Sequence, residues 1–406
     1  WSSDVCSSDL LVPENSLREV DKQDAESHGI TIVEAKTKEG FLDSIDWLLF
    51  PPNNLVTNAV VALDHRLGKI AHVLKEHDLS EKRIQIVCSL NSRGENYQTN
   101  VGLCKEADLV VGLGSKLVTE LKSSLRILNK RVVNLTPGIF CKLADLNRAK
   151  EEIGIEDGRE FRILVLSDNE STDFPLDRFH IAAKAISSLK DKHFRLVVTG
   201  VEKDKRSEFL KKCCECDVAE EQLIMRDFPV KEEDLRLLFC EVDLAILLSA
   251  KDECGLIALC ALSAGLPLYV CRDSAFASSL REVPFGEASI IEEVAKAEKL
   301  ACLIKKAKDK GRKLRLEEAE KLRSNFEAKH NWKTQIESLV GKMLDMFQGI
   351  TFLFTFLTQT NKIKVFQHMN NYYFHRSRIE WSPIWSVIIR LIYESYLSIT
   401  RKKPLR

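Results

Sequence analysis

Short apolar runs rich in β-branched residues recur along this chain, and an amphipathic helical stretch separates nearly every pair of them. The runs at 31–34, 47–50, 59–63, 84–88, 109–112 and 132–135 form a first series. Those at 162–166, 195–200, 223–226, 244–248, 268–271 and 289–291 form a second. They are apolar almost throughout, as strands covered on both faces must be. Helical periodicity fills the intervals at 67–77, 116–128, 178–190, 231–240 and 256–264. Such alternation predicts parallel sheets with right-handed crossovers, hence an α/β chain. The pattern restarts near Phe161, after a polar stretch at 151–160. Two Rossmann-like lobes are therefore expected, with Thr136, Pro137 and Gly138 as the hinge after the first.

Composition excludes some functions. Lysine and arginine number 60 and are matched by 60 aspartates and glutamates, so no basic field calls for nucleic acid or an anionic membrane. The 12 cysteines are scattered through apolar runs with no disulfide spacing, which points to reduced thiols in a cytoplasmic protein. Cys213, Cys214 and Cys216 supply three sulfurs with no histidine beside them, one ligand short of a closed zinc site, and read as a solvated helix end. The lysine run at 305–313 is followed at once by acids and reads as a solvated helix face.

Both ends change character. Residues 1–10 repeat the triplet Ser-Ser-Asp and read as an adapter artefact, being too short and polar for a signal peptide. No opening βα unit precedes 11–13, so the first lobe is expected to be truncated at its start. Residues 348–406 turn aromatic and basic and are expected not to pack. Their apolar run at 350–357 is too short for a membrane span, which takes about 20 residues. The expected organisation is a first lobe at 11–150, a second at 151–325, a crossing helix at 326–347 and the atypical tail.

The stretch at 252–267, Asp-Glu-Cys-Gly-Leu-Ile-Ala-Leu-Cys-Ala-Leu-Ser-Ala-Gly-Leu-Pro, carries the most specific pattern. A glycine opening a helix at a strand's carboxyl edge gives a diphosphate backbone amides and a positive dipole end. This stretch resembles the donor-binding motif of retaining glycosyltransferases of family 4, whose fold is the two-lobed GT-B type. The strand at 241–249, the segment Ala107–Ser115, the Pro137-Gly138 pair and Asn331-Trp332 are similar to further family landmarks. The resemblance spans about 11–347. It implies transfer of a sugar from a nucleotide-diphosphate donor, with no cofactor and no metal.

Carried over position by position, the resemblance implies catalytic roles for Asp252 or Glu253 and, in the first lobe, for His65. It implies donor contacts from Ser167, Arg178, Gly255, Leu256 and Cys260. Several of these depart from the family pattern. Cys260 stands where the family has the acid that holds the donor ribose. Asp168 and Asp177 stand where it has an arginine and a lysine for the diphosphate, and Arg178 lies one residue late. Leu63 or Cys88 occupies the place of its first-lobe histidine. The implied function is a glycosyltransferase with an eroded site, or else an inactive binding or scaffold module with a protein partner or fused domains.

Overall fold

The computed structural model describes residues 8–358 except 18, 20–21, 24, 26–29, 53–54, 56, 89, 91–95, 129, 141–142, 144–159, 167–175, 200, 202–204, 228–231, 249–254 and 293–295. The chain divides into two compact units. One holds the described residues up to Gly112, Glu120–Val133 and those from Lys333 onward; the other holds Leu113–Thr119 and Asn134–Trp332. The expected boundary at 150/151 lies outside the described residues.

The first unit opens with β1 (Ser8–Pro13) and β2 (Ile30–Ala35), a parallel pair. β1 begins inside the decapeptide that the sequence sets aside as artefact. A four-stranded sheet follows, ordered β3-β4-β5-β6. It comprises β3 (Thr57–Leu63), β4 (Ser80–Val87), β5 (Leu109–Leu113) and β6 (Val132–Leu135). Between them run α1 (Asp64–Glu76), α2 (Asn96–Glu106) and α3 (Ser115–Leu125). Ser44–Leu49 is a 3-10 helix, not the strand expected over 47–50. Asp43 caps it, accepting from the Ile45 amide at 3.0 Å, and the Trp47 indole donates to the Phe41 carbonyl at 3.2 Å. Those polar anchors override the β-propensity of the apolar residues.

The second unit is a six-stranded parallel sheet. In chain order its elements are β7 (Phe161–Leu166), α4 (Leu176–Leu189), β8 (Phe194–Thr199), α5 (Arg206–Cys214) and β9 (Leu223–Arg226). Then come α6 (Glu232–Glu241), β10 (Leu244–Leu247), α7 (Leu256–Ser263), β11 (Leu268–Cys271), α8 (Ala275–Arg281) and β12 (Ile290–Ile291). The order across the sheet is β12-β11-β10-β7-β8-β9. Strand residues alternate between two cores: Leu164, Ala245, Leu247 and Val270 on one face, Ile163, Val165, Leu244 and Ile246 on the other. Burial on both faces is why these strands read as unbroken apolar runs.

α9 (Ala297–Asp309) and α10 (Arg312–Lys329) complete the unit, and α11 (Trp332–Thr358) follows. Phe326 is therefore a core residue of α10, fully buried, rather than the start of a crossing helix. α11 runs past the expected end at 347, and the remaining tail lies outside the described residues. Among those residues no helix is long and apolar enough to cross a membrane.

α5 ends at the cysteine cluster as expected, but two of its three thiols are not solvated. Cys213 and Cys216 are buried in the second core and Cys214 is exposed. Burial pushes the Cys213 thiol up to about 12, so it stays protonated and packs as an apolar group. The lysine run meets the acids beyond it through Lys310, which holds Glu318 at 2.7 Å, while Lys308 reaches back to Asp191 at 2.9 Å.

Candidate functional site

In the second unit the strand order reverses between β7 and β10. Such a switch point opens a crevice at the carboxyl edge, where ligands of doubly wound sheets bind. The two strands are paired in register there, Leu166 opposite Leu247. The chain leaves β7 into Ser167 and leaves β10 into the segment that returns as Gly255. Ser167, Asp252 and Glu253 themselves lie outside the described residues, as do Asp168 and Lys251. Arg178 falls in the first turn of α4, but its side chain is likewise outside them.

Gly255 caps α7 in the left-handed conformation, φ 69° and ψ 18°. Its carbonyl accepts the first helical bond, from the Leu259 amide at 2.9 Å. A glycine cap brings no side-chain acceptor, and the first-turn amides of any helix lack partners within it. Their charge and the dipole favour an anion at this end. A second constraint holds the same residue. A Cβ at Gly255 would lie 2.6 Å from the Phe276 Cβ. Phe276 comes from α8, whose start is fixed by Ser274 accepting from the Ala277 amide at 3.1 Å, and its ring packs on Phe326 with centroids 5.4 Å apart. Glycine is thus required by packing, whatever binds beyond it.

α7 is apolar on every side. Ala258 to Ser263 are all buried, while Leu256 and Ile257 pack half-buried against the same core. Cys260 lies one turn beyond Leu256 on the same helix face and is 7% exposed. The structure therefore brings Gly255, Leu256 and Cys260 together at one helix mouth. At its far end the buried Ser263 hydroxyl accepts from the Phe140 amide at 2.9 Å. This ties the helix to the chain just after Pro137-Gly138. A Cβ on Gly138 would meet the His330 carbonyl at 2.4 Å and the Trp332 ring at 3.0 Å, so both landmarks suggested by the sequence meet at one point in the second unit.

His65 belongs to the first unit. It is the second residue of α1 and partly exposed. Burial, then Lys69 and Arg66, holds its imidazole below the ordinary value, so it is neutral at pH 7. The residue before it escaped the sequence reading. Asp64 has φ 54°, a strained conformation for a residue with a side chain. Its carboxylate accepts from the Cys88 amide at 2.9 Å, and its carbonyl accepts from the Gln85 side chain at 3.0 Å. Asp64 thus joins the carboxyl ends of β3 and β4, beside the two positions, Leu63 and Cys88, where the resemblance looks for a histidine. An Asp-His pair at a strand end was the available signal.

A family profile described as "Family 4 Glycosyltransferase in conflict systems" matches residues 9–339. The chain belongs to that glycosyltransferase family. Solved structures agree on the fold. HepE from Anabaena, crystallised with UDP and glucose, aligns with a TM-score of 0.59 at 13% identity, covering 79% of this chain and 88% of that one. A UDP-forming trehalose-phosphate synthase from Burkholderia xenovorans, in complex with glucose-6-phosphate, aligns at 0.55 and 12% identity, over 71% and 73%. Among curated proteins no significant sequence match is found. In this family member the GT-B architecture is therefore present, and the helix mouth at Gly255 lies at the carboxyl edge of its second sheet.

Proposed function

We propose that this glycosyltransferase retains a donor crevice at the β7/β10 switch point but binds nucleotide sugar weakly and turns over little or none. The observation that carries the reading is Cys260, buried in α7 one turn beyond Leu256, at the position where the family resemblance calls for an acid. A thiol is a weak donor and a weaker acceptor. It does not replace a carboxylate that grips two ribose hydroxyls, and each charge-assisted bond lost costs about 1.5–3 kcal/mol. Two such bonds amount to roughly 10²–10⁴ in affinity. The sequence of the segment after β7 supports the same view. Asp168, Glu170, Asp173 and Asp177 bring negative charge to a stretch where the family has two cations.

UDP in the crystallised HepE makes uridine diphosphate the first ligand to test. Calorimetric titration of the full chain with UDP and with GDP should give millimolar binding or weaker. Cys260→Glu should tighten it at least tenfold, with a thermal melt run alongside to verify that the variant folds. Should the glutamate unfold the helix, Cys260→Gln serves as the milder replacement. Micromolar binding by the unaltered chain would overturn the proposal. A second reading, sugar transfer with retention by Asp252 or Glu253 with His65 nearby, is favoured by the intact helix mouth at Gly255. Release of UDP from UDP-glucose above the background hydrolysis rate would establish it. Under the first reading the protein serves as a binding or scaffold module within the cytoplasm.

A further inference from the structure

The chain passes from the first unit into the second after Val133 and leaves it after Trp332. Inside the second unit these two passages are packed on each other. A Cβ on Gly138 would stand 2.4 Å from the His330 carbonyl and 3.0 Å from the Trp332 ring. His330 ends α10, its amide donating to the Phe326 carbonyl at 2.8 Å, and its ring lies on Phe326 with centroids 4.6 Å apart. Phe326 in turn packs on Phe276, the residue that touches Gly255. A continuous row of rings therefore joins the two chain passages to the helix mouth.

His330 is the weak point of that row. Its ring is buried, yet Nε2 has no hydrogen-bond partner among the described residues. Glu282, at the end of α8, stands 3.9 Å from it, beyond hydrogen-bond reach. α8 also presents the Ser279 carbonyl to the ring, and α10 brings Lys329. The segment 136–140 contributes no titratable group. A neutral ring can sit so, whereas an imidazolium carries a second N–H donor, which burial without a partner penalises. We infer that His330 is a proton-operated latch: neutral, it holds the two passages together and the ring row firm beneath Gly255, and protonated, it releases both. The proton comes from water as the ring swings out to it, so mild acid favours the released form. Burial holds the imidazole below its ordinary value, which gives the same sign: the packed form refuses a proton that the released form accepts. Release begins near about pH 6.5 and deepens downward. Donor binding plays no part in the latch.

Hydrogen exchange on the full chain at pH 7.5 and 5.5, corrected for the intrinsic rate of each amide, tests the latch. The probes are the amides of His330, Phe140 and Leu259, hydrogen-bonded to Phe326, Ser263 and Gly255 in the packed form. All three should exchange at least about threefold faster at the lower pH, and no more than about tenfold faster per pH unit, the limit for one proton. Amides of β7 and β8 should keep their rates. His330→Phe, neutral at both pH values, should cancel the acid response, with His330→Gln in reserve if the phenylalanine disturbs folding. Glu282→Gln should enlarge the response, since the packed ring then loses the carboxylate that favours its proton. Equal rates at the two pH values would overturn the inference. So would slower exchange in acid, with Glu282 closing on the charged ring. An acceleration that spares Phe140 and Leu259, that extends equally to β7 and β8, or that His330→Phe leaves in place would sink it as well.

Discussion

Gly255 pairs a left-handed backbone with Phe276, whose Cβ stands 2.6 Å and whose ring stands 3.0 Å from where a methyl would sit. Gly255→Ala should therefore cost about 1–3 kcal/mol in a urea melt, with no ligand present. Buried His330 offers a second test. Burial depresses its imidazole, opposed by the Glu282 carboxylate 3.9 Å away. Below the ordinary histidine value the unfolded chain takes up a proton that the folded chain refuses, so stability falls as pH drops. The window opens near 6.5 and continues downward, with a slope of at most about 1.4 kcal/mol per pH unit. His330→Phe, which keeps the ring contact with Phe326, should flatten melting temperature between pH 7 and 5. At this scale the sequence reads unevenly. The Gly-Leu and Ala-Gly-Leu-Pro spacing marks the helix mouth, because local backbone needs are written locally. Phe276 and the strained Asp64 stay hidden, because each gains its role from a partner distant in the chain.

The strands buried on both faces were the easiest elements to read, since the whole run must be apolar. The 3-10 helix at Ser44–Leu49 was harder, being set by Asp43 and the Trp47 indole rather than by periodicity. The crossing helix was expected from 326 and begins at Trp332, because His330 and Asn331 give only a brief break and Phe326 fits the apolar spacing on either side of it. Among helices α7 is the most exacting. Removing the Ser263 hydroxyl with Ser263→Ala leaves the Phe140 amide without its acceptor and should cost about 1–3 kcal/mol in chemical denaturation. Ser263→Thr, which keeps the oxygen, should restore part of that loss if its methyl is accommodated.

Each unit carries a parallel sheet. The second has all six strands of a doubly wound sheet and a core on each face. Expressed alone as residues 134–332, it should fold, with cooperative loss of far-UV dichroism on heating. The alternation of runs and helices was enough to foresee two lobes, but not the order of strands across each sheet, which depends on which strands find neighbours.

The ring of Phe276 beneath the bend at Gly255 has a bearing on how such proteins are recognised. Selection for a folded body alone is sufficient to keep that glycine, even after any sugar nucleotide has ceased to visit. A fingerprint of this kind can thus outlive the trade it advertises. The side chain one turn along, here a sulfur, is the better informant about who still works.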